Sequence, residues 1–178
     1  MTQIPPALER FVALSQLPLT LAEPQGRDHV LIAANDAFER LTGYGRSDLI
    51  GHDCRILQGP RTQPSARRVL RCALDEANDQ YAVITNYRRD GTEFDNFVFL
   101  FPVLDAEDRA VMTVGSQFEI PREGRVDAHL SHIRFLKDGF ADLNGGALGD
   151  LYVECGGLTK LRPEALVTHR LRNLVPTT

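Results

Sequence analysis

The segment Gly51-His52-Asp53-Cys54-Arg55-Ile56-Leu57-Gln58-Gly59 carries a thiol, a guanidinium and a carboxamide within one or two helical turns. A cysteine offers a nucleophile or redox centre, an arginine a planar fork for phosphate, and a glutamine both a donor and an acceptor. Two more carboxamides, Asn86 and Asn96, lie on consecutive strand-like runs. They face the same side if the hairpin loop between them has an odd number of residues. Two amides on one sheet face can read a heterocycle edge that mixes donors and acceptors. Gln117 adds a third carboxamide from a later run. Cys72 and Cys155 have no Cys or His partner at metal-ligand spacing and read as structural thiols.

Positioning these groups takes a sheet and one long helix. Ala66, Val69, Leu70, Ala73, Leu74 and Ala77 repeat at helical spacing and predict a helix over 62–77, with Pro64 in its first turn. Arg67, Arg68 and Arg71 flank that seam; Arg67 and Arg68 read as solvated helix-face charges. Residues 17–22 and 30–34 predict two strands around a turn, and Asn35 caps a short helix through Thr42. Residues 81–88, 94–103 and 110–120 are rich in β-branched and aromatic residues and predict a three-strand meander. The fold class is α+β: a five-stranded antiparallel sheet with helices on one face. The core spans 17–120, an N-terminal helical cap 1–16, and a C-terminal helical extension 121–178 that includes a final helix over 163–174.

With 178 residues and 43% hydrophobic content, the chain has the balance of one ordinary globular domain. Its formal net charge of −4 does not favour nucleic acid or anionic lipid as a direct partner. No apolar run is long enough to span a bilayer and no secretory signal is visible, so the expectation is a cytoplasmic protein with three reduced cysteines.

The Cys54 segment resembles the flavin-binding signature of the LOV family, the blue-light-sensing branch of the PAS fold, which reads approximately Gly-x-Asn-Cys-Arg-Phe-Leu-Gln. Residues 35–44, 85–91, 94–97 and 115–117 are similar to the family's flanking segments, in the same order, and together span nearly all of 17–120. The resemblance implies FMN as cofactor and a photoreceptor that turns over no substrate, hence no enzyme. It implies that light drives a reversible bond between the Cys54 sulfur and flavin C4a, with N5 taking a proton. It implies Asn86 and Asn96 on the pyrimidine edge, Gln117 near N5 and O4, Gln58 on the ribityl chain or pyrimidine edge, and Arg55 and Arg71 on the phosphate, with Asn35 and Asp53 beside the flavin. FMN is preferred to FAD because family members that take FAD lengthen the loop after the cysteine helix, and here only three residues separate Gln58 from Thr62.

The chain departs from the family in places. Asp53 stands where Asn is usual; a carboxylate there disfavours the thiolate and can serve as a base. Ile56 replaces the usual Phe, and Val98 and Thr113 are smaller than the residues common in the pocket, which implies water access. The apolar stripes at Leu8, Phe11 and Val12 and at Leu130, Ile133, Phe135, Leu136 and Phe140 must bury against their own sheet or another subunit, and the resemblance implies a homodimer signalling through these flanks. The competing expectation is a PAS-fold redox or small-ligand sensor, binding flavin or haem without cysteine photochemistry.

Overall fold

The computed structural model describes residues 3–120 and 127–155. The expected helix over 163–174 lies outside them, as does the side chain of Leu130. The elements run α1 (Pro6–Leu14), β1 (Leu19–Gln25), β2 (Asp28–Ala34), α2 (Asp36–Thr42), α3 (Arg46–Leu49), a 3-10 turn (Cys54–Leu57), α4 (Pro64–Asp75), β3 (Gln80–Tyr87), β4 (Glu93–Leu104), β5 (Ala110–Glu119), α5 (Asp127–Asp142), a wide turn (Leu143–Ala147) and β6 (Tyr152–Val153). The sheet is antiparallel in the order β2-β1-β5-β4-β3.

Two features correct the sequence expectation. A sixth, two-residue strand pairs Val103 with Val153 and Leu104 with Tyr152, extending the sheet where β3 has ended. Helices also cover both faces rather than one. Period-2 alternation sends Phe97, Phe99 and Phe101 of β4, and Val114 and Phe118 of β5, to the outer face. There they form one cluster with Leu8 and Val12 of α1 and Leu136 and Phe140 of α5. Phe101 meets Phe140 edge-on at 4.8 Å, and Phe11 stacks on Phe135 at 5.8 Å. Of the two covers open to the flanking stripes, the chain's own sheet takes most: Leu8, Leu136 and Phe140 are fully buried, while Phe135 stays exposed.

The inner face belongs to the small helices and α4. Phe38, Leu49 and Leu57 pack on Leu31 and Ala34, while Ala66 packs on Ala82, Ile84 and Val98. Helix α4 stops at Asp75 because Ala77 takes a left-handed φ of 52°, and Asn78 N–H then bonds the Ala73 carbonyl in a C-terminal cap. No helix among the described residues is long and apolar enough to cross a membrane.

Candidate functional site

Between α4, the 3-10 turn and the inner face of the sheet lies a cavity of about 430 Å³. That is within the usual range for small-molecule sites, about 300–1,000 Å³. Cys54, Asp53, Arg55, Gln58, Arg71, Asn86, Asn96 and Gln117 line it, as expected from the sequence, whereas Asn35 does not. Asn35 is a structural hub: its Oδ1 accepts from Leu19 N–H and Phe38 N–H, and its amide donates to the carbonyls of Val12, Ser15 and Leu17. With both ends of the amide committed, Asn35 ties α1 and β1 to the start of α2 instead of facing a ligand. Ile56 is also absent from the lining and packs against the cluster around Leu31, Phe38 and Leu57, so it is not a wall of the cavity. Val98 and Thr113 do line it.

The turn that presents Cys54 is held at its first residue. Asp53 Oδ1 accepts from Arg55 N–H at 2.9 Å, capping the turn, and Oδ2 accepts from His29 N–H at 3.0 Å. Leu31 N–H bonds the His52 carbonyl and Gly51 N–H the Leu31 carbonyl, each at 2.9 Å, so the loop is stitched to β2. Burial first, and then the Asp53 carboxylate, push the Cys54 thiol up to about 12. The sulfur is thus protonated at neutral pH and a poor ground-state nucleophile.

The carboxamides come from two adjacent hairpins. The register pairs Tyr87 with Glu93, leaving the five residues 88–92 as the connection. That count is odd, so Asn86 and Asn96 do share the inner face. Asn96 Nδ2 donates to Asn86 Oδ1 at 2.9 Å, and Asn86 Nδ2 donates to the Leu57 carbonyl at 3.2 Å. Among the described residues, Asn96 Oδ1, Gln117 Oε1 and His29 Nδ1 are buried without a hydrogen-bond partner. Unpaired buried acceptors are costly, so a cavity that holds them is poised for a ligand edge that donates.

Four guanidinium groups, Arg55, Arg67, Arg68 and Arg71, line the cavity, with Asp53 the carboxylate among its walls. Arg55 pairs with Asp28 and with Asp53, while Arg71 pairs with Asp75 at 2.8 Å and donates to the Arg27 carbonyl. Both forks are thus already engaged by carboxylates of the chain, Asp28 and Asp75. The loop after Gln58 is short and pinned: Gly59 N–H bonds Thr62 Oγ1, whose hydroxyl donates to the Thr85 carbonyl at 2.7 Å. A Cβ at Gly59 would sit 2.3 Å from the Tyr87 ring, so only glycine allows that approach.

A model of the PAS domain family matches residues 20–120. The fold is similar to the crystal structure of a Rhodobacter sphaeroides LOV protein, with a TM-score of 0.73 and 28% identity, covering 94% of this chain and 93% of that one. The chain belongs to the PAS family, in its LOV branch. Residues of this LOV chain are 38% identical over 110 positions to blue-light-activated histidine kinase 2 of Erythrobacter litoralis, 61% of this chain and 32% of that protein. The chain thus spans about a third of that relative's length. It is also similar to an RNA-binding light-oxygen-voltage receptor, with a TM-score of 0.60 and 30% identity, over 76% of this chain and 36% of the receptor.

Four polar residues that border the LOV cavity are not marked as site residues by the sequence: Arg67, Arg68, Thr20 and His29. Arg67 and Arg68 are exposed, as expected of helix-face charges, and they also border the cavity one turn from Arg71, on a helix whose Leu70 and Leu74 line it; the i, i+4 spacing of Arg67 and Arg71 carried that signal. Thr20 and His29 come from β1 and β2, where no local motif marks them. Burial, with Arg71 second, holds the His29 imidazole below its ordinary value.

Proposed function

We propose that this chain, of the blue-light photoreceptor LOV family, senses light by binding FMN in the cavity and using Cys54 as the reactive thiol. The observation that carries the reading is the pair of unpartnered carboxamide oxygens, Asn96 Oδ1 and Gln117 Oε1, in a cavity that also holds a protonated thiol. When bound, FMN supplies the blue-light absorption and the ring carbon that takes up sulfur. Asn86, Asn96 and Gln117 bind the mixed donor and acceptor edge. Gln58 orients the chain between ring and phosphate, and Arg55 and Arg71 bind the phosphate as planar forks. Asp53 holds the Cys54 turn in place and, with burial, keeps the thiol protonated until light is absorbed. The pinned loop at Gly59 supports FMN over a flavin with a second nucleotide.

In this reading the core 17–120 senses and the flanks 1–16 and 121–178 report, with no substrate turned over. The flanks signal through a homodimer. Because α1 and α5 bury their stripes within the chain, the dimer contact falls on what they leave outside, Leu14 and Phe135, which are 67% and 44% exposed. Light-scattering mass of the full chain in dark and light, with Phe135→Glu as control, tests this: a dimer lost in the variant supports it, and a wild-type monomer in both states contradicts it. The partners do not include nucleic acid directly; the net charge of −4 supports that reading.

The binding claim is tested by titrating FMN into the full chain. Saturable uptake with a structured blue absorption band is expected, lost in the double variant Asn96→Leu, Gln117→Leu. Failure of the wild type to take up flavin, or a haem Soret band in protein as isolated, overturns it.

A further inference from the structure

The Gln117 carboxamide meets a single hydrogen-bond partner among the described residues, and that partner is Thr20. Gln117 Nε2 lies 3.5 Å from Thr20 Oγ1, and the Thr20 hydroxyl lies 3.4 Å from the Gly115 carbonyl. Thr20 and Gly115 face each other in the β1–β5 register. Thr20 and Gln117 are 2% and 4% exposed, and both line the cavity. The missing side chain at Gly115 is part of the arrangement: a Cβ there would stand 2.5 Å from Thr20 Oγ1 and 2.7 Å from Gln117 Nε2. The amide is thus laid across a glycine and against one hydroxyl, with its oxygen, buried and unpartnered, at the other end.

A hydroxyl carries one donor and two acceptor sites. With the amide nitrogen toward Thr20, the hydroxyl accepts from it and donates to the Gly115 carbonyl. With the amide turned by half a revolution, the same hydroxyl donates to Gln117 Oε1 and releases the Gly115 carbonyl. Both arrangements leave the Gln117 end nearest Thr20 paired. A valine of the same shape would pair neither and would strand an amide group in a buried site. We propose that Thr20 is a positioning residue whose hydroxyl holds the Gln117 carboxamide in either orientation. It thereby lets the cavity face of Gln117 change between acceptor and donor, and it links that change to the β5 backbone at Gly115. The second half of this proposal rests on the flavin reading above; the first half does not.

Side-chain amide NMR of the full chain tests it, with Thr20→Val removing the hydroxyl and Thr20→Ser restoring it. In the flavin-free protein, the Gln117 side-chain amide protons should exchange about fivefold faster in Thr20→Val, the effect of one neutral hydrogen bond, and at the wild-type rate in Thr20→Ser. In FMN-loaded protein, illumination should shift the Gly115 carbonyl carbon in wild type and Thr20→Ser and leave it unmoved in Thr20→Val. Equal Gln117 exchange in all three proteins overturns the contact. An equal Gly115 shift in Thr20→Val overturns the link to β5. A chain that takes up no FMN defeats the flavin reading instead, and the exchange measurement still decides whether Thr20 holds Gln117.

Discussion

The two faces of one sheet are built to opposite ends. Along β4, Asn96, Val98 and Leu100 point to the cavity, while Phe97, Phe99 and Phe101 point to the helices α1 and α5. Along β5, Thr113, Gly115 and Gln117 alternate in the same way with Val114 and Phe118. The outer face is filled: Phe97 stacks on Phe118 at 4.9 Å and Phe99 lies 5.1 Å from Phe97. The inner face leaves a cavity of about 430 Å³ and two carboxamide oxygens with no hydrogen-bond partner among the described residues. The same strands thus supply stability on one side and unsatisfied binding capacity on the other, and the difference comes from residue type at alternating positions, not from backbone geometry.

The sharpest way to break this contrast is to empty the outer face. Phe101→Ala should cost about 3–5 kcal/mol in denaturant unfolding, because a fully buried ring touching Phe99 and Phe140 leaves a cavity behind. A loss below about 1 kcal/mol would mean that α1 and α5 are not the cover of this face. Next in size is the link between faces. Ser116 and Phe118 flank Gln117, and both meet His132 of α5, with Ser116 Oγ 2.7 Å from His132 Nε2 and the two rings 4.8 Å apart. Ser116→Ala should cost about 1 kcal/mol and raise hydrogen exchange in α5 while leaving the cavity side unchanged. Unchanged α5 exchange would show that the hydrogen bond does not dock the helix. The smallest stability effect belongs to the inner face: Gln117→Leu should leave the flavin-free protein within about 0.5 kcal/mol of wild type, since it removes an unpaired oxygen along with one long hydrogen bond. A large loss there would mean that the inner face also serves stability.

The thiols sharpen the same comparison through pH. Cys72 is exposed, whereas burial and Asp53 raise Cys54 to about 12. A raised value means that the thiolate, the alkylating species, is scarce until pH approaches 12. Iodoacetamide should therefore label Cys72 readily near pH 8 and Cys54 only slowly, with Asp53→Asn speeding Cys54 by removing the second of the two causes. Equal labelling of Cys54 and Cys72 at pH 8 would refute the protected thiol.

The inner face was legible in the sequence where chemistry is local. The spacing around Cys54, the odd hairpin connection between Asn86 and Asn96, and the strand run carrying Gln117 each encode their placement in neighbours along the chain. Residues placed by tertiary contacts were not legible. Thr20 and His29 enter the cavity because β1 lies beside β5 and β2 is stitched to the Cys54 loop, pairings that no local period announces. Asn35 shows the opposite error: a polar residue in a family-like segment is consumed by five hydrogen bonds to backbone that hold α1 and α2 together. The flanks left two covers open, and the chain's own sheet takes most of the stripe. An amphipathic stripe shows that burial is needed, but not whether the chain's own sheet or a second copy provides it.

The central claim, that the inner face places a flavin against Cys54, is tested most directly by absorption spectra of FMN-loaded full chain in the dark, under blue light, and during return to darkness. Wild type should lose its blue band on illumination and regain it in the dark, while Cys54→Ala should hold the same flavin and keep its band throughout. Reversible bleaching of Cys54→Ala to the wild-type light spectrum would contradict the account.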